Sequence, residues 1–368
     1  MKIVFNTNKY IGGGETFVFE FLKLNLDYKI ICVEDSWLGN AVGKNRVLYY
    51  HRSSKYNLLS KFNQWVLKRF LKENTLRITR VLFLNFQDFL TYHSLFNQGE
   101  IIDYYCLHPY DFYYRSAKSK LSLFFETITK NRSPVYGKRA LFNYYLINKF
   151  INGTLFYMDE INRQIHKDHI FVKTKVLALP CVEEKEFIFN KEPGKRILWI
   201  GRLVDFKMTA LNSIVNFVDE NPSYTLTVIG DGSYSNRIIN YKNRNRISFI
   251  GKIDYRELQE VIKNHDIGFG MGVSSVLMAS FSLPTIVGVT DYPNWLVKSE
   301  GKCFGLIYEL GYGDFGSGIY QSNPLLKNIS DVLEYIEKNY TLSSKLSHSK
   351  SLEFSFKNVE NFDRRIAE

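Results

Sequence analysis

Apolar residues in the second half of the chain come in short runs, each followed by glycine, serine, lysine or aspartate. RILWI at 196–200, TLTVI at 225–229, ISFIG at 247–251, IGFGM at 267–271 and TIVGV at 285–289 are five such runs. Runs of this length, rich in β-branched residues, predict strands buried on both faces of a parallel sheet. Between them the apolar spacing changes to three and four, which predicts helices over Thr209–Val218, Arg256–Asn264 and Val276–Phe281. Strand, loop and helix recur in that order, the pattern of a doubly wound α/β sheet.

The first half opens the same way. A strand at Lys2–Phe5, a glycine-rich loop at 12–14, a helix at Glu15–Leu24 and a strand at Tyr28–Val33 make a βαβ unit. Further strands are expected near Arg80–Asn85 and Ile101–Leu107, the second ending at the loop HPYD. Leu58–Asn74 predicts an amphipathic helix with Leu59, Phe62, Val66 and Phe70 on one face and Lys61, Lys68 and Lys72 on the other. A core-packed helix with a solvated lysine face satisfies that pattern, and so does a membrane-surface helix. Pro180 and the run VEEKEFIFNKEPGK then break the periodicity. The expected organisation is a Rossmann-like domain at 1–190, a second at 191–340 and a helical tail at 341–368 that is a candidate to cross back to the first. No residue between Asp266 and Asp291 is charged, and the length would span a bilayer. Glycines, serines and Pro284 divide the stretch into strand, loop, helix and strand, so it is read as buried core with a ligand loop.

Charge separates the halves. Residues 1–190 hold 27 Lys+Arg against 17 Asp+Glu, and residues 191–368 hold 21 against 20. The basic first half suits an anionic membrane surface or an anionic acceptor, and no nucleic-acid module is present, so nucleic acid is not an expected partner. With a polar break after Phe5, a signal peptide is not expected. The expected location is cytoplasmic, peripheral on the inner face of a cell membrane. Cys32, Cys106, Cys181 and Cys303 lie far apart and read as buried thiols. His166 and His169 are three apart in a polar stretch and read as a surface pair rather than a metal site.

In open α/β sheets ligands gather at the carboxyl ends of the strands. Arg202 and Lys207 follow the first strand of the second half, where two cations can clamp a diphosphate. Gly272, Ser274 and Ser275 precede a helix, and free amides there would seat an anion. Helix capping by the serines fits equally well.

Taken as an ordered set, LWIGRLVDFK, VIGDGS, FIGKIDYRELQEVIKNHDIGFG and SSVLMASFSLPTIV resemble the C-terminal half of the retaining group-1 glycosyltransferases. That family's motifs run GRLxxxKG, GDG and LEAMAxGxP. GGGE at 12–15 looks like its GGxE loop. The resemblance implies the GT-B fold, two Rossmann-like doubly wound domains facing across a cleft. It implies a hexosyltransferase moving a sugar from a nucleoside-diphosphate sugar to a cell-surface polysaccharide, lipopolysaccharide or lipid-linked glycan, with retention. No cofactor and no metal are implied. Arg202 and Lys207 would bind the diphosphate, Gly201 and Gly230 would line the donor, and Ile253 and Asp254 would lie near the base. Ser274 would face the donor, with Ser275, Val276 and Leu277 offering backbone amides to phosphate. Gly13 and Gly14 would let the first domain approach, and His108 would contact the donor sugar. Glu15 is a further candidate, and a favourable charge at a helix start explains it equally well. Gly270 and Met278 stand where the family carries two glutamates. That departure opens a rival reading, a non-catalytic GT-B subunit that binds or scaffolds. A nucleotide-sugar epimerase is another rival; a phosphorylase would need a pyridoxal-phosphate lysine and a longer chain.

Overall fold

The computed structural model describes residues 1–8, 13–50, 60–73, 77–96, 99–107, 112, 138–188, 193–236, 245–288, 304–316 and 326–360. They fall into two compact units, Met1–Leu179 with Asn358–Glu368, and Pro180–Lys357.

The first unit is built on seven parallel strands: β1 (Lys2–Phe5), β2 (Tyr28–Val33), β3 (Val47–Tyr50), β4 (Arg80–Phe83), β5 (Ile101–Cys106), β6 (Leu155–Tyr157) and β7 (Thr174–Val176). Their order is β3-β2-β1-β4-β5-β6-β7. The second unit has six: β8 (Arg196–Ile200), β9 (Thr225–Ile229), β10 (Ile247–Gly251), β11 (Ile267–Gly270), β12 (Thr285–Gly288) and β13 (Phe304–Leu306). Their order is β10-β9-β8-β11-β12-β13, with only β13 antiparallel. Each sheet therefore reverses its winding once, between β1 and β4 and between β8 and β11. These are the topological switch points, where adjacent loops leave in opposite directions and open a crevice.

The five predicted strands of the second unit are all present. In β8, Ile197, Leu198, Trp199 and Ile200 are buried, as a central parallel strand requires. Helix Asp205–Glu220 covers one face through Ala210, Leu211, Ile214, Val215 and Val218, a spacing of three and four. Its start lies four residues before the expected Thr209, so Lys207 belongs to its first turn. Helix Val273–Ser280 likewise starts three residues early and takes Ser274 and Ser275 into its first turn.

Residues 181–188 pack within the second unit, which moves its beginning ahead of the expected 191. Val182 bridges Ser355, Cys181 N–H donates to Phe354 O (2.8 Å) and Phe356 N–H donates to Val182 O (2.9 Å). Ile188 N–H donates to Ser282 Oγ (3.0 Å), and the Lys185 ammonium lies 4.5 Å from the Phe281 ring centroid. Residues 341–351 are not a separate tail either. They lie in helix Tyr340–Ser351, where Ser347 Oγ accepts from Thr285 N–H (3.1 Å) and Ser344 Oγ donates to Ser282 O (2.5 Å).

In the first unit the amphipathic segment forms helix Ser60–Glu73, but its fully buried residue is Leu67, while Val66 and Phe70 are half-buried and Trp65 is exposed. The His166 ring is buried and not on the surface: it ends helix Glu160–His166, and Nδ1 lies 2.8 Å from Tyr144 OH. Cys32, Cys106 and Cys181 are free and buried; Cys303 lies outside the described residues.

Candidate functional site

The second sheet's switch point assembles from the loops after β8 and β11. β8 delivers Gly201 and Arg202 into its loop, and the chain turns into helix Asp205–Glu220 with Lys207 on the first turn. Lys207 Nζ donates to Met271 O (3.3 Å), just past the end of β11, so one ammonium bridges both sides of the crevice. A side chain at Gly201 would begin 3.3 Å from that Nζ and 3.4 Å from the Trp199 ring. Glycine keeps the space beside the lysine open. Arg202 is exposed, and among the described residues no carboxylate pairs with it. Burial, and secondarily the Arg202 charge, pull the Lys207 ammonium down to a pKa of about 8. A cation held partly out of water beside a second cation favours an anion between them.

Two helices begin here, and neither is capped by a side chain. Val204 is the cap residue of one, and Gly272, at φ 76°, that of the other. Ser275 Oγ donates to Gly272 O (2.6 Å) and Ser274 Oγ to Met271 O (3.3 Å), so the hydroxyls turn to carbonyls and leave the amides open. Ser275 N–H already donates to Gly272 O (3.0 Å), and the amides of Val276 and Leu277 bond inside the helix. The open N–H groups therefore belong to Val273 and Ser274, ahead of Ser275, Val276 and Leu277. The side chains of those three face the core.

Gly230 and Gly232 let neighbouring loops approach at backbone distance. Gly230 has φ 147°, and a side chain there would begin 1.9 Å from Gly201 O. At Gly232 it would begin 2.3 Å from Leu203 O. Gly201 N–H donates to Ile229 O (3.0 Å), Leu203 N–H to Asp231 O (3.0 Å) and Gly230 N–H to Gly251 O (2.9 Å). The three loops after β8, β9 and β10 are thus sewn together, and the Arg202 loop is fixed by its neighbour. Asp254 caps helix Tyr255–Lys263, accepting from Arg256 N–H (2.8 Å) and Glu257 N–H (3.0 Å), with Ile253 half-buried beside it. Both sit after the edge strand β10, two strands from the switch point.

Met278 is fully buried and packs against β11. A side chain at Gly270 would begin 2.9 Å from Met278 Cε, and one at Gly268 would begin 2.8 Å from Met278 Cβ. Its role is core packing. The loop at Phe315 had no signal in the sequence, yet Phe315 O accepts from Gly272 N–H (3.3 Å) and braces the helix start.

In the first unit, Gly13 and Gly14 open helix Gly13–Leu24, and Gly14 faces Leu107 at the end of β5. Glu15 is buried, and its Oε1 accepts from Asn8 Nδ2 (2.7 Å) and Asn6 Nδ2 (3.3 Å). Asn85 Nδ2, after β4, donates to Asn8 Oδ1 (3.1 Å). These asparagines place Glu15 at the first switch point, which a helix-end charge alone does not require; only their position after β1 and β4 marks them in the sequence. His108 lies outside the described residues. Among the described residues no group of three or more His, Cys, Asp or Glu side chains is arranged to hold a metal, and no helix is long and apolar enough to cross a membrane.

No family model and no curated relative matches the chain. Solved structures do. Anabaena Alr3699/HepE in complex with UDP is similar over 99% of each chain, at a TM-score of 0.65 and 12% identity. The lipopolysaccharide outer core galactosyltransferase WaaB is similar over 99% of this chain and 100% of its own, at 0.62 and 14%. The pneumococcal O-GlcNAc transferase GtfA, solved with UDP and GlcNAc, covers 100% of this chain and 98% of its own, at 0.63 and 10%. With two Rossmann-like units, each wound about one switch point, the chain has the GT-B fold of these glycosyltransferases.

Proposed function

We propose that this protein is a glycosyltransferase that moves a sugar from a nucleoside-diphosphate sugar to a hydroxyl of a cell-surface glycan or lipid-linked glycan, with retention. One observation carries the reading: Arg202, Lys207 and two uncapped helix starts converge on one switch point. Four sources of positive potential in one crevice suit a pyrophosphate. The fold neighbours crystallised with UDP support a uridine nucleotide. In the reaction the acceptor oxygen bonds to the anomeric carbon as the bond from that carbon to the phosphate oxygen breaks. The departing phosphate takes the acceptor proton, and Arg202 and Lys207 stabilise the charge that builds on it. The proposed reaction invokes neither a metal nor a protein base.

We place the paired-glutamate departure one residue earlier than Met278. Ser282 has φ 65°, the left-handed conformation that suits the glycine of LEAMAxGxP, and Pro284 follows at the motif's spacing. Counted back from there, the glutamate position is Leu277 and not Met278. With no carboxylate at that place, we assign the ribose hydroxyls to Ser274.

A panel of nucleotide sugars screened by thermal unfolding tests the reading. The donor is expected to stabilise the protein by about 2.7 kcal/mol at a hundred times its Kd. Absence of any shift across the panel sinks the proposal and leaves the non-catalytic subunit. Binding should also consume protons. Lys207 titrates near 8 when free, and a diphosphate raises that value, so affinity is full below pH 8 and falls above it by up to about tenfold per pH unit. Calorimetry with UDP at pH 8 in buffers of different ionisation enthalpy reads the uptake; a buffer-independent heat removes Lys207 from the phosphate site.

A further inference from the structure

The two units differ completely in charge. Met1–Leu179 with Asn358–Glu368 holds 28 Lys+Arg against 17 Asp+Glu, and Pro180–Lys357 holds 20 of each. The whole excess of +11 therefore belongs to the first unit.

Part of that excess is presented on one face. Right-handed crossovers from β3 onward place helices Ser60–Glu73, Phe86–Tyr92, Lys138–Phe150 and Glu160–His166 on the same side of the first sheet. Contacts join them in a row: Gln64 donates to Thr91 O, the His93 ring lies 4.2 Å from Phe150, and Tyr144 OH lies 2.8 Å from His166 Nδ1. Helix Lys138–Phe150 buries Ala140, Tyr144 and Ile147 inward. Its outward turns carry Leu141, Phe142 and Tyr145, of which Phe142 is 60% and Tyr145 55% exposed. Phe171, 82% exposed, stands beside them because its N–H donates to Asn148 Oδ1 (2.8 Å). On the first helix of the row Trp65 is 54% exposed.

Two of these rings carry a cation one turn on. The Arg69 guanidinium is 5.8 Å from the Trp65 ring, and Lys149 Nζ is 5.6 Å from the Tyr145 ring. Lys68, Lys72, Lys167 and Lys173 are exposed around them. Of the nearby acids, Glu160 is paired to Arg163 (2.6 Å) and Asp168 is exposed. A solvated face needs lysines but gains nothing from exposing three large rings. Rings that sit at headgroup depth, with cations on long stems reaching phosphate, need both.

We propose that this face docks on an anionic phospholipid surface, with Phe142, Tyr145 and Phe171 entering the interface and Trp65 with the surrounding lysines and arginine holding the headgroups. The inference does not depend on the nucleotide site, which lies in the other unit.

Flotation with neutral phosphatidylcholine vesicles and with vesicles containing about 30 mol% phosphatidylglycerol tests it. The full chain is expected to bind the anionic vesicles at least about tenfold more tightly, with the difference shrinking as salt rises. The triple variant Phe142→Ser, Tyr145→Ser, Phe171→Ser should lose about tenfold or more on anionic vesicles. Lys149→Glu should weaken binding severalfold while leaving the apolar contact. All four side chains are outside the core, so unfolding midpoints and UDP binding, measured on the same samples, report folding and the transferase reading separately. Equal binding to both vesicle types, or an unaffected triple variant, overturns the proposal. So does a concentration-dependent dimer that the triple variant abolishes, since a second copy would then be what covers the face.

Discussion

Lys207→Met is expected to lower sugar transfer, read as UDP release with the donor found by thermal screening, by about two to three orders of magnitude. The same change should leave the unfolding midpoint unchanged or raise it. The two effects part because the ammonium is costly to the free protein: burial and the Arg202 charge already drag its pKa to about 8. Methionine keeps the apolar stem and removes the charge, so the desolvation and the repulsion both disappear. The sign of the pH effect follows. The lysine binds fewer protons folded than unfolded between about 8 and 10.5, so the unaltered protein gains stability as pH rises through that window, and the variant should not. Unchanged turnover in the variant would remove Lys207 from the chemistry.

Gly230→Ala carries the largest expected loss of stability. Its φ of 147° is closed to side chains, and the new methyl would start 1.9 Å from Gly201 O. The clash is with backbone, so no rotamer relieves it; the β8 loop and the β9 loop must part. A cost of about 4 kcal/mol is expected from strain and overpacking together. Because Gly201 and Leu203 take their hydrogen bonds from that neighbour, nucleotide affinity should fall with stability. Unfolding monitored with and without UDP reads both. A variant that keeps its midpoint and its affinity would show that the loops are not interlocked.

The glycines also mark how far the sequence could be read. Strand runs such as RILWI and TLTVI are legible because a parallel strand must be apolar on both faces, whatever surrounds it. The place of Arg202 and Lys207 beside the switch point was legible because a βα loop in such a sheet ends at the carboxyl edge of the strands. Helix starts were not. Ser274 and Ser275 look like caps by composition, and only the direction of their hydroxyls, back to Met271 O and Gly272 O, shows that the open amides come earlier. Leu277 and Met278 are equally apolar, and nothing in the sequence chooses between them. His166 looks polar by its neighbours in sequence; its burial comes from Tyr144, 22 residues away. Short strands such as β6 and β13 have three residues each, too few to show a period.

The pairing of Val182 with Ser355 means that the second unit starts and finishes at neighbouring points. Topologically it is an insertion into the first, closed at its neck by Cys181 and Phe356. A gene fragment for 180–357 thus encodes a module whose ends already meet, suited to separate expression. Substitutions in one unit can therefore accumulate without breaking the chain path of the other.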